Sequence, residues 1–193
     1  MSIKILGGLI KGQTLLVPKG DLIRPTSVML RRKIFDARQD MSGFHFVDIC
    51  GGSGAIALEA LSRGAESATI VEKNSKVFGL LKDNCNKSKR SSDSLGEINL
   101  VKSCGLKWLE SFLVSYSNYS AEEKESVIIF IDPPYEIHNI YEESIKLLKN
   151  ANFSGEIWIE SDEQKGIKKK VLEEMIDARK IYSQGTSFIL LHG

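Results

Sequence analysis

Val127-Ile128-Ile129-Phe130-Ile131-Asp132-Pro133-Pro134-Tyr135 is the stretch that decides the fold. Five consecutive apolar residues, mostly β-branched, predict a strand buried on both faces, as in a parallel sheet. The two prolines lock φ and cannot donate to a ladder, so the strand ends at Asp132 and a stiff loop follows. One carboxylate, the Pro133 carbonyl and the face of Tyr135 are thereby expected at the carboxyl end of a strand, where open α/β sheets bind their ligands. Two acceptors beside an aromatic plate suit a planar ring that carries an exocyclic amino group. The ring would stack on Tyr135 while Asp132 and the Pro133 carbonyl accept the amino hydrogens. Held so, the nitrogen lone pair is drawn out of the ring and becomes nucleophilic. A strand that merely ends in a proline turn is the plainer alternative.

A second stretch gives the ring a co-reactant. Phe44 to Cys50 reads as another apolar strand, interrupted by His45 and Asp48; Gly51-Gly52-Ser53-Gly54 follows, then a helical run from Ala55 to Leu61. Strand, glycine turn and helix form the context that a dinucleotide-type motif requires, although Ala57 stands where the third glycine of G-x-G-x-x-G would be. Gly52 and Gly54 allow close backbone approach. Glu72, ending the next strand (Ala68 to Val71), sits about twenty residues on, where an acid holds ribose hydroxyls. Asp48 would repel a phosphate and attract an ammonium group. The combination disfavours NAD and favours a nucleoside cofactor without phosphates, of which S-adenosylmethionine is one.

The Asp48-x-x-x-Gly52-x-Gly54 turn and the Asp132-Pro133-Pro134-Tyr135 loop are similar to those of class I amino-methyltransferases. More narrowly, Ile3 to Gly8, Lys11-Gly12, Leu15 to Pro18, Arg24-Pro25-Thr26, Leu58-Glu59-Ala60-Leu61-Ser62-Arg63-Gly64-Ala65 and Trp158-Ile159-Glu160-Ser161 resemble the RsmD family. The likeness runs nearly the full chain. It implies a bacterial 16S ribosomal RNA guanine-N2 methyltransferase of Rossmann-like class I fold, dependent on S-adenosyl-L-methionine. Carried over residue by residue, Asp132, Pro133, Pro134 and Tyr135 form the catalytic loop, and Asp48, Gly52, Ser53, Gly54, Glu72 and Cys104 line the cofactor site. Arg24, Pro25, Thr26 and Arg31 would meet RNA. Two positions depart from the family pattern. Val28-Met29 replaces a polar Asp-Arg pair, and a helical setting assigns both to core packing. Cys104 stands where relatives place Asp or Asn for the adenine amino group, and a thiol is a poor acceptor.

With 193 residues, 42% of them hydrophobic, the chain suits one globular domain with a sizeable core. No apolar run approaches a membrane span and the N-terminus lacks a signal-peptide layout. Cys50, Cys85 and Cys104 show neither Cys-x-x-Cys nor zinc spacing, and read as reduced thiols of a bacterial cytoplasm with no metal implied. His45, within an apolar strand, is assigned a structural role. The net charge of +1 hides an asymmetry: residues 1–40 hold eight Lys or Arg against three Asp, a net of +5, which leaves −4 for the other 153. A basic appendage meeting phosphates, on an otherwise neutral body, is the expected arrangement. The Lys168-Lys169-Lys170 run is assigned to a solvated surface helix.

The predicted organisation has an RNA-facing extension over 1–40 and a methyltransferase unit over 41–193. The extension comprises a hairpin (3–6 with 14–17) and a helix from about Ser27 to Arg38 capped by Thr26. Strands near 45–49, 67–71, 98–101, 127–131 and 156–160 alternate with helices, which predicts a mostly parallel sheet with helices on both faces. Strands near 178–182 and 186–191 are separated by too few residues for a crossover and must pair antiparallel, completing a seven-stranded sheet. Lys87 to Ser94 and Ser115 to Ser126 read as surface loops, and a monomer is expected. Three alternatives stay open: a DNA adenine or cytosine amino-methyltransferase, which would need a target-recognition insert; a protein glutamine methyltransferase, which usually carries Asn in place of Asp132; and a non-catalytic rRNA-binding assembly factor.

Overall fold

The computed structural model describes residues 2–17 and 26–193. Apolar, β-branched segments form the central strands: β3 (His45–Asp48), β4 (Ser67–Val71), β5 (Glu97–Val101), β6 (Val127–Ile131) and β7 (Glu156–Asp162). They lie side by side in the order β5-β4-β3-β6-β7, every neighbouring pair parallel. β8 (Lys180–Gln184) and β9 (Ser187–His192) close the edge as an antiparallel hairpin, with β9 inserted between β7 and β8. Gly185, at φ +61°, makes that turn possible. The seven-stranded, mostly parallel sheet with its antiparallel end is the one expected from the alternation of patterns.

All five residues of β6 are buried because both faces of the sheet are covered. Alternate side chains feed two separate cores. Phe46, Ile70, Phe130 and Trp158 face the N-terminal hairpin, α1 (Val28–Ala37), α2 (Ala55–Ser62) and α3 (Ser75–Ser91). Val47, Ile129, Ile131 and Ile159 face α4 (Gly105–Tyr116), α6 (His138–Asn150) and α7 (Lys169–Ile176). Trp158 is fully buried, with Phe35 of α1 and Phe46 of β3 both edge-on to its ring at 6.0 and 5.6 Å. Each such pair is worth about 0.5–1.5 kcal/mol beyond its buried area, so α1 is held to the middle of the sheet.

The N-terminal extension packs on α2 and α3. β1 (Ser2–Lys4) and β2 (Thr14–Leu16) form the expected hairpin, with β1 beginning one residue earlier and both strands ending sooner than expected. Its turn docks on the last turn of α2: Leu9 N–H donates to the Ser62 carbonyl at 2.7 Å and Ser62 Oγ to the Gly7 carbonyl. Gly8, at φ +74°, has its Cα so near the Ser62 carbonyl that a Cβ would sit 1.7 Å from the oxygen. Asn84 of α3 clasps β2 by exchanging hydrogen bonds with the Leu16 N–H and carbonyl, and it also donates to the Ser53 carbonyl in the glycine turn.

Several local expectations are corrected. Ser27, not Thr26, caps α1, its Oγ accepting from Leu30 N–H at 3.0 Å. Val28 and Met29 are 47% and 49% exposed; they occupy the outward side of the first turn while Leu30 and Ile34 supply the buried stripe. Lys87 to Ser91 continues α3, because Asn84 and Ser88 give its last turns a buried polar seam with the hairpin. Within the second presumed loop, Ala121–Glu125 is a short helix, α5, nucleated by a capping box between Ser120 and Glu123. His45 opens β3 at the surface and bonds Ser67 Oγ.

Candidate active site

Register alone assembles the site. Ile70, Asp48, Phe130 and Trp158 are mutual partners across β4, β3, β6 and β7. Two residues further along each parallel strand comes a second row: Glu72, Cys50, Asp132 and Glu160. Because the side-chain period of a strand is two, Asp48, Glu72, Asp132 and Glu160 share one face, that of α1, α2 and the hairpin. The row lies at the carboxyl edge, and β3 and β6 flank the point where the strand order reverses, the crevice in which open α/β sheets bind ligands.

The turn after β3 is shaped by absent side chains. Gly52 and Gly54 have φ of +51° and +79°, values that favour glycine. A Cβ on Gly51 would lie 2.2 Å from Ile70 Cγ2, and one on Gly54 2.7 Å from Leu81 Cδ1. The turn therefore presses against β4 and α3 and presents open backbone before α2. Ser53 beside it is buried, and its carbonyl accepts from Asn84. Glu72 accepts from Gly52 N–H at 3.1 Å and Asn74 N–H at 2.6 Å, which joins the turn to the end of β4. Each carboxylate oxygen has two lone pairs, so capacity for hydroxyl donors remains. Cys104 caps α4 without a side-chain bond to the helix, and Gly105 next to it is held against the Ile49 carbonyl, where a Cβ would lie 2.4 Å away.

Asp48 is 2% exposed, accepts from Cys50 N–H at 3.1 Å, and has its pKa pushed up to about 7, chiefly by burial, with Glu72 and Glu160 adding repulsion. The Cys50 thiol is pushed well up by burial and by Asp48, Asp132 and Glu72. A buried carboxylate of this kind lowers stability once ionised. Its contribution is complete below its ordinary value of 3.8, declines as pH rises and is lost above about 7. Asp48→Asn keeps an acceptor for Cys50 and removes the ionisation. Denaturation of the ligand-free variant is expected to show a gain of roughly 2–4 kcal/mol over the natural protein at pH 8 and almost none near pH 4.

In the loop after β6 the aromatic ring lies inside. Pro133 is buried and Pro134 exposed; Tyr135 is only 8% exposed, and its hydroxyl donates to Glu160 Oε1 at 3.2 Å. The open stacking plate expected from the sequence is therefore mostly covered in this conformation, because the hydroxyl is drawn into the acidic row. Ile137 N–H donates to the Pro134 carbonyl at 2.8 Å and closes the turn into α6. Tyr141 of α6 donates to the Glu160 carbonyl at 3.0 Å and lies 3.5 Å from the Pro133 carbonyl. Asp132 is partly exposed at the mouth.

The expected RNA-contact residues divide. Arg24 and Pro25 lie outside the described residues. Thr26 is buried and donates through Oγ1 to Glu160 Oε2 at 2.6 Å, which ties it to the end of β7 rather than to solvent. Arg31 is wholly buried, 3.9 Å from Glu59 and donating to the Lys4 carbonyl at 3.2 Å, so it does not offer its charge to a ligand. Glu160 and Tyr141 received no role from the sequence. The signal for Glu160 was an acid ending an otherwise apolar strand; Tyr141 gave none, since an aromatic on a helix face reads as core. Among the described residues no group of three or more His, Cys, Asp or Glu is arranged to hold a metal ion, and no helix is long and apolar enough to cross a membrane.

The chain is similar to known proteins. The family described as Conserved hypothetical protein 95 matches residues 3–190. "Ribosomal RNA small subunit methyltransferase D" of Escherichia coli strain K12 is 30% identical over 169 residues, covering 86% of this chain and 77% of its own. The protein of the same name from Buchnera aphidicola subsp. Acyrthosiphon pisum is 27% identical over 169 residues, covering 86% and 81%. Among solved structures, a putative methyltransferase, yhhF, from Escherichia coli superimposes with a TM-score of 0.72 at 24% identity, over 99% of this chain and 97% of that one, a likeness of fold. With the match spanning the extension, the glycine turn, the Asp-Pro-Pro-Tyr loop and the C-terminal hairpin alike, the chain belongs to the family described as Conserved hypothetical protein 95, the RsmD family.

Proposed function

We propose that the protein is an S-adenosylmethionine-dependent methyltransferase that modifies the exocyclic N2 of a guanine in 16S ribosomal RNA of the small subunit. The observation that carries the reading is the pairing of β3 with β6, which sets Asp132 and the Pro133 carbonyl beside Asp48 and the glycine turn at the topological switch point. The printed names of the relatives supply the substrate class. The residues fit the cofactor: an open glycine backbone, a buried acid for a cationic group and a second acid at the end of the next strand. When bound, S-adenosylmethionine supplies an electrophilic methyl on a sulfonium.

Asp48, Gly52, Ser53, Gly54 and Glu72 hold the cofactor, with Cys104 at the edge of the adenine position. Asp132 and the Pro133 carbonyl accept the two amino hydrogens of the target base, which leaves its stack to reach them. Orientation of this kind supplies roughly 7–11 kcal/mol of a bimolecular barrier, and no covalent enzyme intermediate is needed. Asp132 is placed to take the proton that the alkylated nitrogen releases. The exposed cations of the extension, Lys4, Lys11, Arg32 and Lys33, face RNA phosphates. Affinity for RNA is expected to fall with salt at a log–log slope of several units in a filter-binding series, each neutralised phosphate adding about 0.7–0.9. A flat response would remove the extension from the interface.

Calorimetric titration with S-adenosylmethionine, alone and with ribosomal RNA or small subunits present, tests the whole reading. Binding that RNA strengthens, followed by a mapped N2-methylguanine, is the expected result. Absence of binding in both conditions would leave an rRNA-binding assembly factor as the function.

A further inference from the structure

Glu160, in the acidic row, has a side-chain partner on the Asp132-Pro133-Pro134-Tyr135 loop and another in the N-terminal extension. It ends the apolar stretch of β7, is 2% exposed, and its carboxylate accepts from two hydroxyls: Tyr135 on Oε1 at 3.2 Å and Thr26 on Oε2 at 2.6 Å. Its own carbonyl accepts from Tyr141, whose hydroxyl also approaches the Pro133 carbonyl. Two tyrosines from the loop and the helix after it thus converge on one strand residue. We infer that Glu160 is the positioning residue of the Asp132-Pro133-Pro134-Tyr135 loop, and that through Thr26 it makes the loop's geometry depend on the seating of the N-terminal extension.

Prolines fix φ at 133 and 134 but do not by themselves set where Tyr135 points. Beyond Tyr135 there is no regular structure before His138. An anchor for that end must be rigid, and strands are more rigid than loops. β7 qualifies: it is central, paired with β6 through Ile131 and Ile159, and paired on its other side with β9 through Glu160 and Ile189. An ionised carboxylate accepting two buried hydroxyls forms charge-assisted bonds, stronger than neutral ones. Thr26 immediately precedes the cap of α1, so a shift of α1 or of the chain before it moves a donor on the same carboxylate that holds Tyr135. Neither Glu160 nor Thr26 needs to touch the base.

The inference rests on the reading of Asp132 and Pro133 as the groups that orient a substrate amine. Its test uses Glu160→Gln, Tyr135→Phe and their combination in the full chain. Misplacement by about an ångström costs on the order of a hundredfold, so Glu160→Gln is expected to lower kcat about tenfold to a hundredfold. KM for RNA and Kd for S-adenosylmethionine should stay within about twofold. Tyr135→Phe, which removes one hydroxyl and keeps the packing, should lose kcat to a similar degree, and the double variant should lose no more than the worse single one, because both break one linkage. Thr26→Val should reproduce a smaller part of the same loss. A kcat for Glu160→Gln equal to that of the natural protein, fully additive losses, or losses that track the thermal midpoint would overturn the inference. Hydrogen exchange separates this from failure of the substrate reading. The Ile137 amide should exchange at least about tenfold faster in Glu160→Gln while β6 amides are unchanged, whether or not RNA is methylated. Unchanged exchange at Ile137 overturns the linkage; faster exchange in a protein that methylates no RNA overturns only the substrate.

Discussion

Asp132→Ala is expected to lower turnover of RNA methylation by about a hundredfold to a thousandfold, the usual cost of deleting one group aimed at charge that develops in a transition state. Binding of S-adenosylmethionine should change little. Asp132 follows β6, whereas the backbone proposed for the cofactor follows β3 and β4: Gly52 at φ +51°, Gly54 at φ +79°, and Glu72 fastened to the turn through Gly52 N–H. Single-turnover rates with calorimetry on the same preparation measure the two quantities side by side. Equal losses in both would mean that Asp132 supports the cofactor rather than the base. Asp132→Asn should fall between, since an amide still accepts from one amino hydrogen but takes no proton.

The largest structural effect is expected at Glu59, far from the chemistry. It is fully buried on α2 and accepts from Leu6 N–H at 2.7 Å, Gly7 N–H at 2.9 Å and Arg63 Nε at 2.9 Å, with Arg31 Nη1 3.9 Å away. Arg31 Nε and Nη1 have no hydrogen-bond partner among the described residues, and burial lowers the arginine's pKa despite the attraction of Glu59 and Glu160. Glu59→Ala would strand these charges and release the turn of the N-terminal hairpin. Breaking such a buried pair costs about 3–5 kcal/mol, enough to lower the thermal midpoint of a chain this size by about 10 °C. Adding Arg31→Met should recover part of the loss, because the unpaired cation accounts for much of it. A denaturant series on the three variants decides it, and a Glu59→Ala midpoint equal to that of the natural protein would refute the clamp.

This clamp gives a physical meaning to two of the segments by which the family is recognised. Ile5-Leu6-Gly7-Gly8 supplies N–H groups, a carbonyl and a glycine with positive φ; Glu59, Ser62 and Arg63 supply the carboxylate, the hydroxyl and carbonyl, and a guanidinium that also reaches the Phe35 carbonyl. They are two halves of one joint. Its task is to hold the extension over the face on which Asp48, Glu72, Asp132 and Glu160 emerge.

What the chain declares locally, its sequence alone determined. The apolar run of β6, its proline stop, the glycine turn after β3 and the short spacing of β8 and β9 each act through backbone dihedrals or side-chain period within a few residues. Strand type, strand ends and the parallel sheet with its antiparallel edge follow from them. Asp48, the glycines, Glu72 and Asp132 were legible for the same reason, since each marks the end of a recognisable strand or the turn after it. Tertiary structure decided what depends on partners distant along the chain. Thr26 meets Glu160 134 residues away and bonds the end of β7 instead of capping a helix. Arg31 went inside because Glu59 was there, and Val28 and Met29 stayed outside because Leu30 and Ile34 already filled the stripe facing the sheet. Tyr135 turned its ring inward to reach a carboxylate on the neighbouring strand. A local pattern specifies which atoms a residue can offer; only the packed sheet, through register and shared faces, specifies which atoms receive them.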